Sequence, residues 1–200
     1  MIGCCYLSAV PMRATASDRA EMVNQLLQGD TFDILDRQEK WSFVRCHYDG
    51  YEGWVDNKQY REVDRPMDLP AAPTGLNPIE EAKKMLGSPY LWGGRTFMGI
   101  DCSGFTQVVF KSCGIRLLRD ASQQATQGTP VTSVDAALPG DLCFFQNPQG
   151  RITHVGLYMG EGRIIHASGE VRIDCLTDVG IWVESTQSYS HKFHSIRRVL

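Results

Sequence analysis

A proline-bearing stretch, Asp64 to Asn77, divides this chain into two parts of different character. It holds Pro66, Pro70 and Pro73 with Gly75, and it lacks hydrophobic periodicity. It reads as a semi-rigid spacer. Three segments follow: a first domain over residues 1–64, a linker over 65–77 and a second domain over 78–200.

The first segment predicts a small β-barrel. Strand-like stretches run from Cys5 to Val10, Asp30 to Asp36, Trp41 to Cys46 and Tyr51 to Val55. They alternate or are rich in β-branched and aromatic types. Turn formers separate them: Gln28-Gly29-Asp30, Arg37 to Lys40, and Tyr48-Asp49-Gly50. Ser17 to Leu27 is more helical in composition. Trp41 and Trp54 are expected in the barrel core, because aromatic residues at strand spacing usually pack.

The second segment starts with helices. Asn77 can cap a helix from Pro78 to Leu86, with Glu80 and Glu81 in its first turn. A second helix is expected over Cys102 to Gly114, and a third near Gln123 to Thr126. After Pro139-Gly140-Asp141 the chain turns to strands at Leu142–Gln146, Thr153–Met159 and Arg163–Ala167, with further ones at Gly180–Glu184 and Ser195–Leu200. Helices followed by strands give the α+β class.

A net charge of −3 and a pI near 5.9 argue against nucleic acid or an anionic membrane surface as partner. No apolar run approaches the ~20 residues of a membrane span. The seven cysteines show no disulfide framework and no zinc spacing, so no metal is expected. Free thiols suit a reducing compartment. Met1 to Pro11 lacks the basic start and long apolar core of a signal peptide. Both features point to the cytoplasm, or to the periplasm or outside if a signal has been removed.

Cys102 opens a predicted helix within Asp101-Cys102-Ser103-Gly104-Phe105. Helix N–H groups and the dipole favour a thiolate there, and a nearby imidazolium favours it further. The same N–H groups can hold an oxyanion. His154 and His166 lie on two strands joined by Gly160-Glu161-Gly162. An even-with-even register puts both imidazoles on one face, opposite or diagonal. Nucleophile, base and orienting group would then stand together, as in a triad. Cys4, Cys5, Cys46, Cys113, Cys143 and Cys175 lack such context and read as inert, and His191 and His194 as solvated or packed.

Residues 78–200 resemble the NlpC/P60 family of cell-wall cysteine peptidases. The resemblance rests on Gly87-Ser88-Pro89-Tyr90-Leu91-Trp92-Gly93-Gly94, Asp101 to Phe105, Pro139 to Phe145, His154-Val155-Gly156-Leu157-Tyr158 and Ile165-His166-Ala167-Ser168. Residues 1–64 resemble a bacterial SH3 domain, carried by Trp41 to Arg45 and Gly50 to Val55. The resemblance implies a papain-like α+β domain with Cys102 as nucleophile, His154 as base and His166 as orienting residue. It implies Tyr90 as a hydroxyl donor near the reacting carbonyl, and Gly93 and Gly94 in a tight turn. It further implies Asp101, Ser103, Asp120 and Ser122 near a subsite for a free α-ammonium. Read without it, Tyr90 is a packed aromatic, and Arg119 with Asp120 a surface ion pair. Tyr51 and Glu52 are suggested as cleft-lining residues of the SH3 module.

The expected activity is hydrolysis of the γ-D-glutamyl–diamino acid bond in small murein peptides with a free N-terminal L-alanine, in wall-peptide recycling, without a cofactor. An amidase or acyltransferase would use the same three residues. A wall-binding protein would show a broken Cys-His pair. Oligomeric state and the preferred diamino acid stay open.

Overall fold

The computed structural model describes residues 1–66 and 75–200. Of the expected linker, residues 67–74, with Pro70 and Pro73, lie outside the described residues. Two compact units emerge, one built on the N-terminal strands with Leu91–Thr96, the other on the remaining C-terminal residues. Among the described residues no helix is long and apolar enough to cross a membrane.

The first unit is an antiparallel seven-stranded sheet of β1 (Ile2–Cys4), β2 (Ala9–Arg13), β3 (Met22–Leu27), β4 (Thr31–Arg37), β5 (Trp41–Cys46), β6 (Glu52–Asp56) and β7 (Arg61–Val63). Its order is β3-β2-β6-β5-β4-β1-β7. The helical reading of Ser17 to Leu27 is overturned, since Met22–Leu27 pairs with β2, with Val10 opposite Leu26. Strand alternation buries Asn24 and Leu26 there, and tertiary pairing outweighs local propensity.

The aromatic expectation also reverses. On β5 the buried face carries Ser42, Val44 and Cys46, so Trp41 and Phe43 point to the other, half-buried side. Phe43 stands opposite Trp54 in the register, with ring centroids 5.3 Å apart. The core is made instead by Val10, Met12, Leu26, Phe32, Val44, Val55 and Tyr60. The segment Leu91–Thr96 is tied to this unit by the buried pair of Arg95 Nη1 and Asp30 Oδ2 at 3.0 Å. Gly93, with φ +76°, must be glycine here, because a Cβ would meet the Met22 carbonyl oxygen at 2.5 Å.

The segment of the first unit just described ends in the two-residue strand β8 (Arg95–Thr96), and the second unit contains α1 (Pro78–Lys83), the two-residue strand β9 (Gly99–Ile100), α2 (Cys102–Ser112) and α3 (Ala121–Gln124). Asn77 caps α1 through the Ile79 N–H at 2.9 Å. Then follow β10 (Thr129–Val131), β11 (Leu142–Gln146), β12 (Ile152–Gly160), β13 (Arg163–Ser168), β14 (Glu170–Leu176), β15 (Gly180–Val183) and β16 (Ser188–Arg198). Helices precede the main strands, yet the chain as a whole is mostly β.

The second sheet runs β10-β16-β11-β12-β13-β14-β15, and β16 also pairs with β15. The six strands β11 to β16 therefore close on themselves, which removes both edges. Alternation then sorts the side chains. Cys143, Phe145, Tyr158, Ile164, Leu176, Ile181 and Ile196 form the cluster inside the closed sheet. Phe144, Val155, Leu157, Ile165 and Val171 face outward and are covered by Phe105, Val109 and Phe110 of α2. Each such large apolar side chain contributes about 1.5–3 kcal/mol on burial. This packing fixes the first turn of α2 against β12.

Candidate functional site

The site has a helix side and a barrel side. On the helix side, Asp101 is the N-cap of α2 and accepts the Gly104 N–H at 2.6 Å. Its two oxygens take Arg119 bidentately: Nη1 to Oδ1 at 3.0 Å and Nη2 to Oδ2 at 2.6 Å. Arg119 Nη1 also donates to Ser103 Oγ at 3.0 Å. Arg119 is only 1% exposed, so the surface ion pair expected for Arg119 and Asp120 is overturned. The guanidinium turns inward because a buried carboxylate needs a cation and donors. Asp120 instead caps α3, where its N–H donates to Gln123 Oε1 at 3.0 Å, and Ser122 is exposed on that helix.

Cys102, the first residue of α2, is buried. Its Sγ lies 4.0 Å from the Thr153 carbonyl oxygen, and the Val155 backbone N–H also serves it. The thiol thus touches β12 on both sides of His154. Burial pushes its pKa up to about 12 and the Asp101 charge adds to this, while the Val155 N–H, Arg119 and the Ser103 N–H pull the other way. The helix N–H groups lower the thiol pKa, as expected at a helix N-terminus, but desolvation counts for more.

Tyr90 is half-buried on the same side, its N–H bonded to the Gly169 carbonyl at 2.9 Å. Burial first, then the proximity of Cys102 and Asp101, pushes its hydroxyl pKa upward. Tyr90 therefore keeps its proton and stays a donor. In the first unit, Glu52 pairs with Arg45 at 2.6 Å.

The barrel side is set by a hairpin. Gly160 pairs with Arg163, and Glu161 and Gly162 both have positive φ, the form of a two-residue type I′ turn. His166 stands opposite Gly156, so His154 is its diagonal neighbour on the same face. A Cβ at Gly156 would lie 2.8 Å from His166 Cβ, so glycine leaves the room for the imidazole to lean toward His154. His154 Nε2 and His166 Nδ1 are 2.8 Å apart, and both residues are buried.

The contacts continue past the expected residues. His166 Nε2 lies 2.9 Å from Asp174 Oδ2. Arg172 grips the same carboxylate, Nε to Oδ2 at 2.6 Å and Nη2 to Oδ1 at 2.8 Å. Burial raises the Asp174 pKa, but the hydrogen bonds from His166 and Arg172 more than offset this and hold it below the usual range. His191, on β16, stacks on His154 with ring centroids 3.9 Å apart and 22° between the planes. Burial, then the charges of its histidine neighbours, holds His154 well below the imidazole range, and His191 is brought down to about 4, burial again leading.

Sequence reasoning missed Asp174, Arg172 and His191. A signal for the first two was present: Glu170 to Cys175 alternates polar and apolar residues with period two, the pattern of a strand with Arg172 and Asp174 on one face. Among the described residues, His154, His166 and His191 offer nitrogens within 4.8 Å of one another. The nearly parallel His154 and His191 rings send their in-plane lone pairs side by side rather than to one point, so the trio is a poor metal cage as it stands.

Residues 87–195 match the NlpC/P60 family, and residues 12–59 match the bacterial dipeptidyl-peptidase Sh3 domain. Among curated proteins, the chain is similar to a gamma-D-glutamyl-L-lysine dipeptidyl-peptidase of Bacillus cereus, at 35% identity over 156 residues, 76% of this chain and 44% of that protein. A protein of the same description from Bacillus subtilis is 45% identical over 91 residues, 44% of this chain and 30% of that one. The chain thus spans less than half the length of these relatives. An NlpC/P60 family protein from Bacillus cereus, solved as a crystal structure, matches with TM-score 0.55 and 26% identity over all of this chain and 63% of that one. NlpC1 of Trichomonas vaginalis matches with TM-score 0.54 at 22% identity, covering 69% of that chain, a likeness of fold alone.

Proposed function

This chain belongs to the NlpC/P60 family, and from that premise we propose that it is a thiol endopeptidase of papain-like design, with Cys102 as nucleophile, His154 as general base and His166 as orienting residue. Its substrate on this reading is a small murein peptide with a free N-terminal L-alanine, cut between γ-D-glutamate and the diamino acid. The observation that carries the reading is the thiol at the start of α2, held against the β12 backbone beside His154, whose Nε2 is tied to His166 at 2.8 Å. The names of the Bacillus relatives support the bond, and the matched Sh3 region supports a first domain over 1–64 that joins a peptidase domain over 78–200.

The mechanism follows from the charges. Burial keeps both the thiol and the His154 ring neutral at rest. Proton transfer then accompanies attack: Sγ bonds to the carbonyl carbon as His154 takes the thiol proton. The oxyanion is met by N–H groups at the start of α2 and by the Tyr90 hydroxyl. The imidazolium protonates the leaving amine and the peptide bond breaks. Water, deprotonated by the same ring, releases the acyl group as a free acid. Asp101 is already engaged by Arg119 and Gly104, so it receives a substrate ammonium as the anionic member of a fixed network.

The test is mass spectrometry of L-Ala-γ-D-Glu-meso-diaminopimelate and its N-acetylated form, incubated with wild type and Cys102→Ala. Wild type alone should release L-Ala-D-Glu, and acetylation should block it. Cleavage by Cys102→Ala would remove the thiol from the chemistry. Uncut peptides in all four reactions would remove the substrate.

A further inference from the structure

We propose that Asp174, clamped by Arg172, is a positioning residue that dictates which ring nitrogen of His166, and through it of His154, carries the proton. The inference rests on the reading of His154 as general base. It goes beyond the three residues of that reading, because it assigns a role to two side chains on β14.

A carboxylate can only accept hydrogen bonds. Asp174 Oδ2 lies 2.9 Å from His166 Nε2, so that nitrogen must donate. In a neutral ring the other nitrogen is then bare. His166 Nδ1 accordingly accepts, and its partner 2.8 Å away, His154 Nε2, donates. His154 Nδ1 is left with an open lone pair, the state a base needs. Each link follows from the one before, and the chain starts at the one group with no donor option. Arg172 keeps it so: its two donors, at 2.6 and 2.8 Å, hold the carboxylate ionised and aimed at His166. His154, His166 and Asp174 are all buried, so water cannot substitute for a missing acceptor.

An amide at position 174 breaks the rule. It cannot accept from Arg172 at both of its atoms, and it can donate to His166. The opposite tautomers then become available, with the proton on His154 Nδ1, where that ring cannot act as a base.

The experiment is long-range ¹⁵N–¹H NMR of the histidine rings in the full chain, for wild type and Asp174→Asn, together with kcat and KM on the murein peptide. The expected result is one tautomer per ring in wild type and mixed or reversed tautomers in Asp174→Asn. kcat should fall on the order of 10²-fold or more, with KM changed by less than about threefold. Unchanged ring nitrogens in Asp174→Asn overturn the proposal, and so do changed tautomers with wild-type kcat. If wild type cuts no peptide but the tautomers shift, the positioning role stands and the peptidase reading fails. Should Asp174→Asn not fold, Arg172→Gln serves: it should mix the tautomers partially and lower kcat several-fold, and wild-type spectra and rates would overturn the proposal equally.

Discussion

The two sides of the site use the same pair of side chains for different ends. On the helix side, Arg119 holds Asp101, and the pair is buried at 1% and 7% side-chain exposure. On the barrel side, Arg172 holds Asp174, and the arginine is 33% exposed. The first carboxylate caps a helix and ties Ser103, so it builds the platform under the thiol. The second ends a row of imidazoles, so it acts on where protons sit. The first pair supports the thiol and its helix, the second bears on where protons sit, and the two arginines differ in exposure.

The sharpest way to break this comparison is Arg119→Met. It leaves the Asp101 carboxylate buried without its cation, and urea unfolding should show a loss of about 3–5 kcal/mol. A loss below about 1 kcal/mol would mean that the helix side does not depend on the pair. His154→Ala tests the barrel side. It should lower kcat on the order of 10²–10³-fold, measured by peptide turnover, and should also lower the melting midpoint, because it empties the space of a buried ring and strips His166 Nδ1 of its partner.

A further effect on stability is expected from acid. His154 and His191 titrate in the folded protein below the ordinary value of 6.5, His191 near 4. Between those values the unfolded chain binds protons that the folded one refuses. Stability is therefore fully present above about pH 6.5 and is lost as pH falls toward 4, by up to about 1.4 kcal/mol per pH unit for each group. The base meanwhile stays neutral, so the acid limb of kcat/KM should lie below 6.5. A limb at or above 6.5, or stability flat over that window, would contradict the buried, neutral pair. The smallest effect belongs to Arg172→Gln, which should cost less than about 1 kcal/mol of stability because the arginine is partly solvated. A cost matching that of Arg119→Met would erase the distinction between the two sides.

The sides also differ in how far they could be read from sequence. Asp101 to Gly104 is contiguous, and a cap, a thiol and a helix start are local properties. His154 and His166 share a face by parity alone, and the structure adds that they are diagonal. Asp174 escaped because its strand reads inside out. Val171 and Ile173 pack outward under the α2 layer, while Arg172 and Asp174 share the face that carries His166. Charged residues that alternate with apolar ones look like a solvent face unless closure of the sheet is known. Trp41 misled for a related reason: small residues, Ser42 and Cys46, occupy the inner face of β5. The direction of the Cys102 shift was unreadable because it depends on burial, which only packing decides.

Closure of the sheet has a consequence for the order of events during synthesis. β16 bonds to β11 and to β15 and brings His191 against His154. A nascent chain that has reached Gly180 but not Arg198 already owns its thiol, both imidazoles and Asp174, yet has no ring of strands to hold them in line. Pairing of β11 with a strand some fifty residues later is a late, non-local event in folding. Until β16 pairs, the ring of strands is open and His191 is not yet against His154.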